Sequence, residues 1–194
     1  MLKVHQKNFK KTVKIVIESI KQGKVIICPT DTIYGLICDA TNKKAVEKNF
    51  KIKKRSIKKP IPVFVKDIKM AKKIAKIDKK QEKFLKLVWP GKVTVILERK
   101  KTKIKLYGVE KKTIALRIPD FKLINFLLEE LNKPLVGTSA NISGKPSSGI
   151  FGKVLQQFKE SKHQPDLIVN AGRLSEKASM VIDLTILPPK ILRI

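Results

Sequence analysis

Apolar residues recur at Phe9, Val13, Val16, Ile17 and Ile20, a helical spacing that Gly23 brings to a stop. Short apolar runs follow. Val25 to Cys28 reads as a buried strand, and Ile61 to Val65 as another, with Pro62 marking an edge or a bulge. Val93 to Leu97 alternates around Thr94, and Thr113 to Ile118 is a strand that stops at Pro119-Asp120. Helices are predicted from Lys43 to Lys53 behind Asn42 as cap, and over Asp67–Lys76 and Asp78–Val88, each with an aspartate near its N-terminus. Phe121–Leu131 is helical as well. Pro134 to Val136 reads as a strand end. A polar turn follows to Gly144, then a helix over Gly149–Lys159 with Ser147 or Ser148 as cap. Leu167–Val169, Ser179–Leu184 and Ile191–Ile194 are the remaining strands. Strands and helices interleave without strict alternation, so the fold class is α/β with a twisted, mixed sheet flanked by helices.

A length of 194 residues fits one domain, taken as 1–194. No apolar run approaches the roughly 20 residues of a membrane span, which predicts a soluble, cytoplasmic protein without a membrane partner. Cys28 and Cys38 sit in apolar contexts and read as buried thiols. His5 and His163 are the only histidines, which argues against a histidine base or a zinc cluster. The formal net charge of +28 predicts attraction to polyanions, nucleic acid first. Nearly all of that charge is lysine spread along the chain, a pattern that genome composition also produces. Lys100–Lys112 in particular reads as a flexible, lysine-rich loop. The five arginines, Arg55, Arg99, Arg117, Arg173 and Arg193, are more informative, because a planar guanidinium suits phosphate or carboxylate.

Two polar constellations interrupt the apolar pattern. Gly137-Thr138-Ser139-Ala140-Asn141-Ile142-Ser143-Gly144 crowds hydroxyls and an amide between two glycines. Such a turn can offer side-chain oxygens and backbone N–H groups to a ligand, and glycine allows close approach or positive φ. Pro29-Thr30-Asp31-Thr32-Ile33-Tyr34-Gly35-Leu36 is the second, at another strand end. Lys53 to Pro60 is a basic loop placed where it can clamp phosphate. Arg117, among Ile114, Ala115, Leu116 and Ile118, needs an anionic partner, either a structural carboxylate or a ligand.

Together these segments resemble the YrdC/Sua5 family, the threonylcarbamoyl-AMP synthases. Trp89-Pro90-Gly91-Lys92-Val93-Thr94 and Ser179-Met180-Val181-Ile182-Asp183-Leu184 add to the match, and all the motifs stand in the family's order. The resemblance implies a YrdC-like fold with a basic concave cavity, in the short form without a further C-terminal domain. It implies a nucleotidyltransferase that makes threonylcarbamoyl-adenylate and pyrophosphate from L-threonine, bicarbonate and ATP. The product feeds t6A modification of adenosine 37 in tRNA, through downstream t6A transferase proteins. Mg²⁺ is expected to travel with the ATP phosphates, and no protein metal site is expected.

The family's Lys-x-Arg and Ser-x-Asn signatures fall on Lys53, Arg55, Ser139 and Asn141, expected to be catalytic through phosphate screening and hydrogen bonding. By the same resemblance Thr32, Tyr34, Arg117 and Ser179 hold threonine. Lys59, Thr138, Ser147 and Arg193 join the signature residues on the nucleotide side. Asp31 stands where glutamate is common, and Met180 where threonine is usual. A second reading is a non-catalytic binder of tRNA or double-stranded RNA on the same fold.

Overall fold

Alternation along Val25–Cys28 divides the core in two. In the computed structural model, which describes residues 2–3, 8–159, 161–175 and 177–194, Val25 and Ile27 enter one apolar cluster and Ile26 and Cys28 the other. His5 lies outside the described residues. In chain order the elements are β1 (Leu2–Lys3), α1 (Phe9–Lys21), β2 (Ile26–Cys28), β3 (Gly35–Asp39), α2 (Lys43–Lys53), β4 (Val63–Phe64), α3 (Ile68–Ile74) and α4 (Lys79–Val88). Then come β5 (Val93–Glu98), β6 (Thr113–Arg117), α5 (Lys122–Leu131), β7 (Leu135–Ser139), α6 (Phe151–Phe158), β8 (Leu167–Asn170), β9 (Met180–Asp183) and β10 (Lys190–Arg193).

The strands form one mixed sheet in the order β1-β8-β2-β3-β7-β4-β6-β5-β9-β10. Helices cover both faces. Val13, Val16, Ile17 and Ile20 of α1 and Leu123, Ile124, Leu127 and Leu128 of α5 pack on Ile26, Cys28 and Ile37. On the other face α2, α3, α4 and α6 contribute Phe50, Ile74, Leu85 and Phe158 against Ile27, Leu36 and Cys38. Each such aliphatic side chain stabilises the fold by roughly 1.5–3 kcal/mol when fully buried. Both cysteines are buried free thiols, Cys28 on one face and Cys38 on the other.

Asn42 caps α2, its Oδ1 accepting from Ala45 N at 3.1 Å, and Asp78 forms a reciprocal capping box with Gln81 on α4. Asp67 caps α3 through Met70 N. The structure departs from the sequence pattern in several places. Sheet pairing carries β7 through Thr138 and Ser139, two residues assigned to a turn, because they lie opposite Leu36 and Gly35 of β3. β4 is shorter than Ile61–Val65. Helix α6 begins at Phe151 with no side-chain cap, and Ser148 Oγ instead accepts from Ile150 N, next to the bridge that Ile150 makes with Arg173. Lys100–Lys112 is anchored, not loose. Leu106 is buried, Tyr107 N donates to Ala40 O at 3.0 Å, and Ile61 N donates to Gly108 O at 2.9 Å.

Helix α2 ends in a way that matters for the site. Lys54 adopts the left-handed conformation, φ 49° and ψ 42°. Lys54 N then reaches Lys51 O and Arg55 N reaches Phe50 O, the paired bonds of a Schellman ending. A side chain in this conformation is strained relative to glycine. Lys54→Gly should therefore raise the unfolding free energy by about 1 kcal/mol, measured by urea denaturation; a lower value would show that the cap is not strained.

Candidate active site

The ends of β3, β6, β7 and β9 converge with the end of α2 around one cavity of about 150 Å³. Register brings the two polar constellations together, since Ser139 of β7 lies opposite Gly35 of β3. Gly137 is required by close approach, because a Cβ there would lie 2.4 Å from the Phe64 ring. Gly144, with φ at 88°, supplies the left-handed conformation at the far end of the turn.

Thr32, Tyr34, Arg55, Arg117, Thr138, Ser139, Ser147, Ser179 and Arg193 all reach the cavity wall. Lys53, Asn141 and Lys59 do not. Lys59 is exposed, and its backbone carbonyl accepts from Arg55 Nε. The remaining wall includes Thr30, Phe64 and Ala178. Thr30 belongs to the polar constellation. Phe64 and Ala178 carry no polar signal, and only the β4–β7 pairing and the approach to β9 bring them in.

The three arginines on the wall differ in how their charge is balanced. Arg117 donates from Nε to Gly91 O at 2.8 Å, from Nη1 to Thr32 Oγ1 at 3.3 Å, and from Nη2 to Asp31 Oδ1 at 2.5 Å. Both side chains of that ion pair are buried, 4% and 7% exposed. The anionic partner of Arg117 is thus a structural carboxylate. A guanidinium has five N–H donors, so two remain for a ligand. Arg55 donates to Lys59 O and Pro60 O, and Arg193 to Ser179 O and Ser179 Oγ. Among the described residues neither forms a salt bridge. Burial pulls all three arginines below the ordinary arginine range, and Asp31 opposes that effect on Arg117 alone. The cavity thus holds two uncompensated positive charges beside one compensated one. Arg55 is partly buried and Arg193 exposed, and both can pair with an anionic ligand through charge-assisted hydrogen bonds.

The hydroxyls are mostly engaged. Tyr34 OH donates to Gly172 O at 2.7 Å and accepts from Ala171 N at 3.0 Å, so its ring is wall and its hydroxyl ties β3 to the segment after β8. Ser179 Oγ shares a hydrogen bond of 2.9 Å with Thr94 Oγ1, and Thr30 and Thr32 share another. Several amides of the Ser139–Lys145 turn, which the glycine-rich pattern would offer to a ligand, are already bonded within the protein. Ala140, Ile142 and Ser143 N–H groups donate to Tyr34 O, Gln157 Oε1 and Lys53 O.

Residues 18–194 match the sequence model of the Sua5/YciO/YrdC family, described as telomere recombination. The chain belongs to the Sua5/YciO/YrdC family. Among its relatives, the threonylcarbamoyl-AMP synthase of Pyrococcus abyssi is 32% identical over 184 residues, covering 93% of this chain and 53% of that protein. That of Pseudoalteromonas translucida is 34% identical over 154 residues, covering 77% and 81%. Among solved structures, Pyrococcus abyssi Sua5 complexed with L-threonine superposes with a TM-score of 0.84 at 30% identity, over 99% of this chain and 56% of that one. Escherichia coli YciO gives 0.83 at 27% identity, over 95% and 89%. The chain therefore spans little more than half of the Pyrococcus family member and most of the other two. The family fold is the mixed sheet with helices on both faces described above.

Removing Arg117 leaves Asp31 buried without its partner. Arg117→Ala is expected to lower the unfolding free energy by roughly 3–5 kcal/mol without any ligand, read from urea denaturation. Stability equal to the parent protein would show that Asp31 is not its structural partner.

Proposed function

We propose that this chain is a threonylcarbamoyl-AMP synthase, a nucleotidyltransferase acting on L-threonine, bicarbonate and ATP. The observation that carries the reading is the charge pattern of the cavity, with Arg55 and Arg193 uncompensated beside Arg117. The reaction needs that pattern. The threonine amine attacks bicarbonate to give a carbamate and water. A carbamate oxygen then attacks the α-phosphorus of ATP, and the bond from that phosphorus to the β-phosphate oxygen breaks. Pyrophosphate leaves with the electron pair. Nucleophile and electrophile are both anionic, so positive charge must bring them together. Arg55 and Arg193 serve the phosphates. The two remaining N–H groups of Arg117 suit the threonine carboxylate, with Thr32 and Ser179 beside it and the Tyr34 ring as wall.

The cavity has the scale of an amino acid, and the nucleotide needs more room. Ser147 joins it to a groove of about 730 Å³ bordered by Lys145 and Lys153. In this reading Ser147, which borders both spaces, meets the nucleotide, with Thr138 and Ser139 beside it on the wall of the smaller cavity. Among the described residues no group of three His, Cys, Asp or Glu side chains converges to hold a metal. Asp31 is committed to Arg117 and to Asp120 N. In this reading the metal is part of the substrate, MgATP. The adenylate product would supply t6A modification of tRNA through separate transferase proteins. Use of ATP and tRNA places that work in the cytoplasm. No helix among the described residues is long and apolar enough to cross a membrane.

Purified protein should release pyrophosphate from ATP only when L-threonine and bicarbonate are both present, and much less with L-serine. Arg55→Ala should lower that rate about 100-fold or more while urea denaturation still shows a folded protein. Release that ignores threonine, or an unaffected Arg55→Ala rate, would overturn the reading or the role of Arg55 respectively.

A further inference from the structure

Lys53 is the most buried lysine in the site region, 2% exposed, yet it does not reach the cavity wall. Its ammonium is surrounded by oxygens of one short stretch. It donates to Ser139 O at 2.6 Å and Asn141 Oδ1 at 2.7 Å, and it lies 3.1 Å from Asn141 O and 3.2 Å from Ser139 Oγ. The backbone carbonyl of Lys53 holds the same stretch, accepting from Ser143 N at 2.8 Å. Asn141 is equally committed. Its Oδ1 also accepts from Ser139 Oγ at 2.7 Å, and its Nδ2 donates to Lys145 O at 2.6 Å and Ile142 O at 3.1 Å. The left-handed Lys54 explains the division. It turns the chain between Lys53 and Arg55, so that Lys53 points into the protein beneath the turn and Arg55 reaches the cavity.

We infer that Lys53 and Asn141 are positioning residues that hold the Ser139–Lys145 turn in shape, and that only Arg55 and Ser139 of the two signatures meet substrate. The inference deepens the proposed synthase reading and rests on it for the identity of the substrate. An ammonium carries three hydrogens, and here it meets four oxygens. It has no donor left for a phosphate without giving up a turn contact. Burial and the neighbouring Arg55 pull Lys53 down to about 7, which fits an amine shielded from solvent.

The test compares Lys53→Met, Lys53→Gln and Arg55→Gln. Amide hydrogen exchange at Ile142, Ser143 and Lys145 should speed up at least tenfold in Lys53→Met and much less in Lys53→Gln, which keeps two donors. ATP affinity should keep the parent protein's salt dependence in both Lys53 variants and become less salt-dependent in Arg55→Gln. In the unaltered protein with inorganic pyrophosphate bound, solid-state ³¹P–¹⁵N dipolar recoupling should show no direct contact between phosphate and Lys53 Nζ, a reading that needs no variant to fold. Parent-like exchange in Lys53→Met overturns the inference. So does a salt dependence reduced as far as that of Arg55→Gln, or a direct phosphorus contact to Lys53 Nζ. Failure of the unaltered protein to bind ATP would instead count against the synthase reading, and the exchange comparison would still decide the role of Lys53.

Discussion

Unbalanced positive charge on the wall of a small cavity is the constraint on which the rest of the site depends. A buried guanidinium costs free energy unless an anion or well-placed acceptors surround it. Asp31 does this for Arg117. Arg55 and Arg193 receive only carbonyl and hydroxyl oxygens, which orient them without cancelling their charge. The site is polarised before any ligand arrives, with a nearly neutral pair on the β6 side and two net cations at the ends of α2 and β10. An anionic ligand that bridges the two regions would complete the electrostatics of the fold.

Delivery of those charges is a matter of chain geometry. The Lys-x-Arg spacing has its physical meaning in the left-handed residue between the two cations. A straight continuation of α2 would have put Lys53 and Arg55 some 200° apart around a helix. The αL residue instead sends one beneath the turn and the other to the cavity. Arg193 arrives by a different route. β10 pairs antiparallel with β9, its register slips between Ile191 and Arg193, and the guanidinium folds back onto Ser179. An arginine near the end of the chain thereby becomes part of the same wall as residues far earlier in sequence.

Much of the fold was legible because local signals agreed with the global answer. Asn42 and Asp78 announce helices that they do cap, and the apolar period of Phe9–Lys21 matches α1 and its buried stripe. The errors have physical causes. Thr138 and Ser139 are polar and adjacent to glycine, so they read as turn, yet pairing with β3 keeps them in the sheet. In Lys100–Lys112 the lysines hide the few residues, Leu106 and Tyr107, that anchor the segment. Of the site, nine residues expected from the family motifs line the cavity, namely Thr32, Tyr34, Arg55, Arg117, Thr138, Ser139, Ser147, Ser179 and Arg193. The burial of Lys53 could not be read from the chain, since a lysine in a basic run implies solvent. Nor could the Asp31–Arg117 pair, whose members lie far apart in sequence and meet only through the sheet.

The central claim is that Arg55 and Arg193 together make an anion site that is formed before substrate binds. Calorimetric titration of the protein with inorganic pyrophosphate tests it most directly. The account predicts one binding site on the unaltered protein, weakened by Arg55→Gln or Arg193→Gln and lost when both are replaced. Undiminished binding by the doubly substituted protein would contradict it, because the charge responsible would then lie elsewhere.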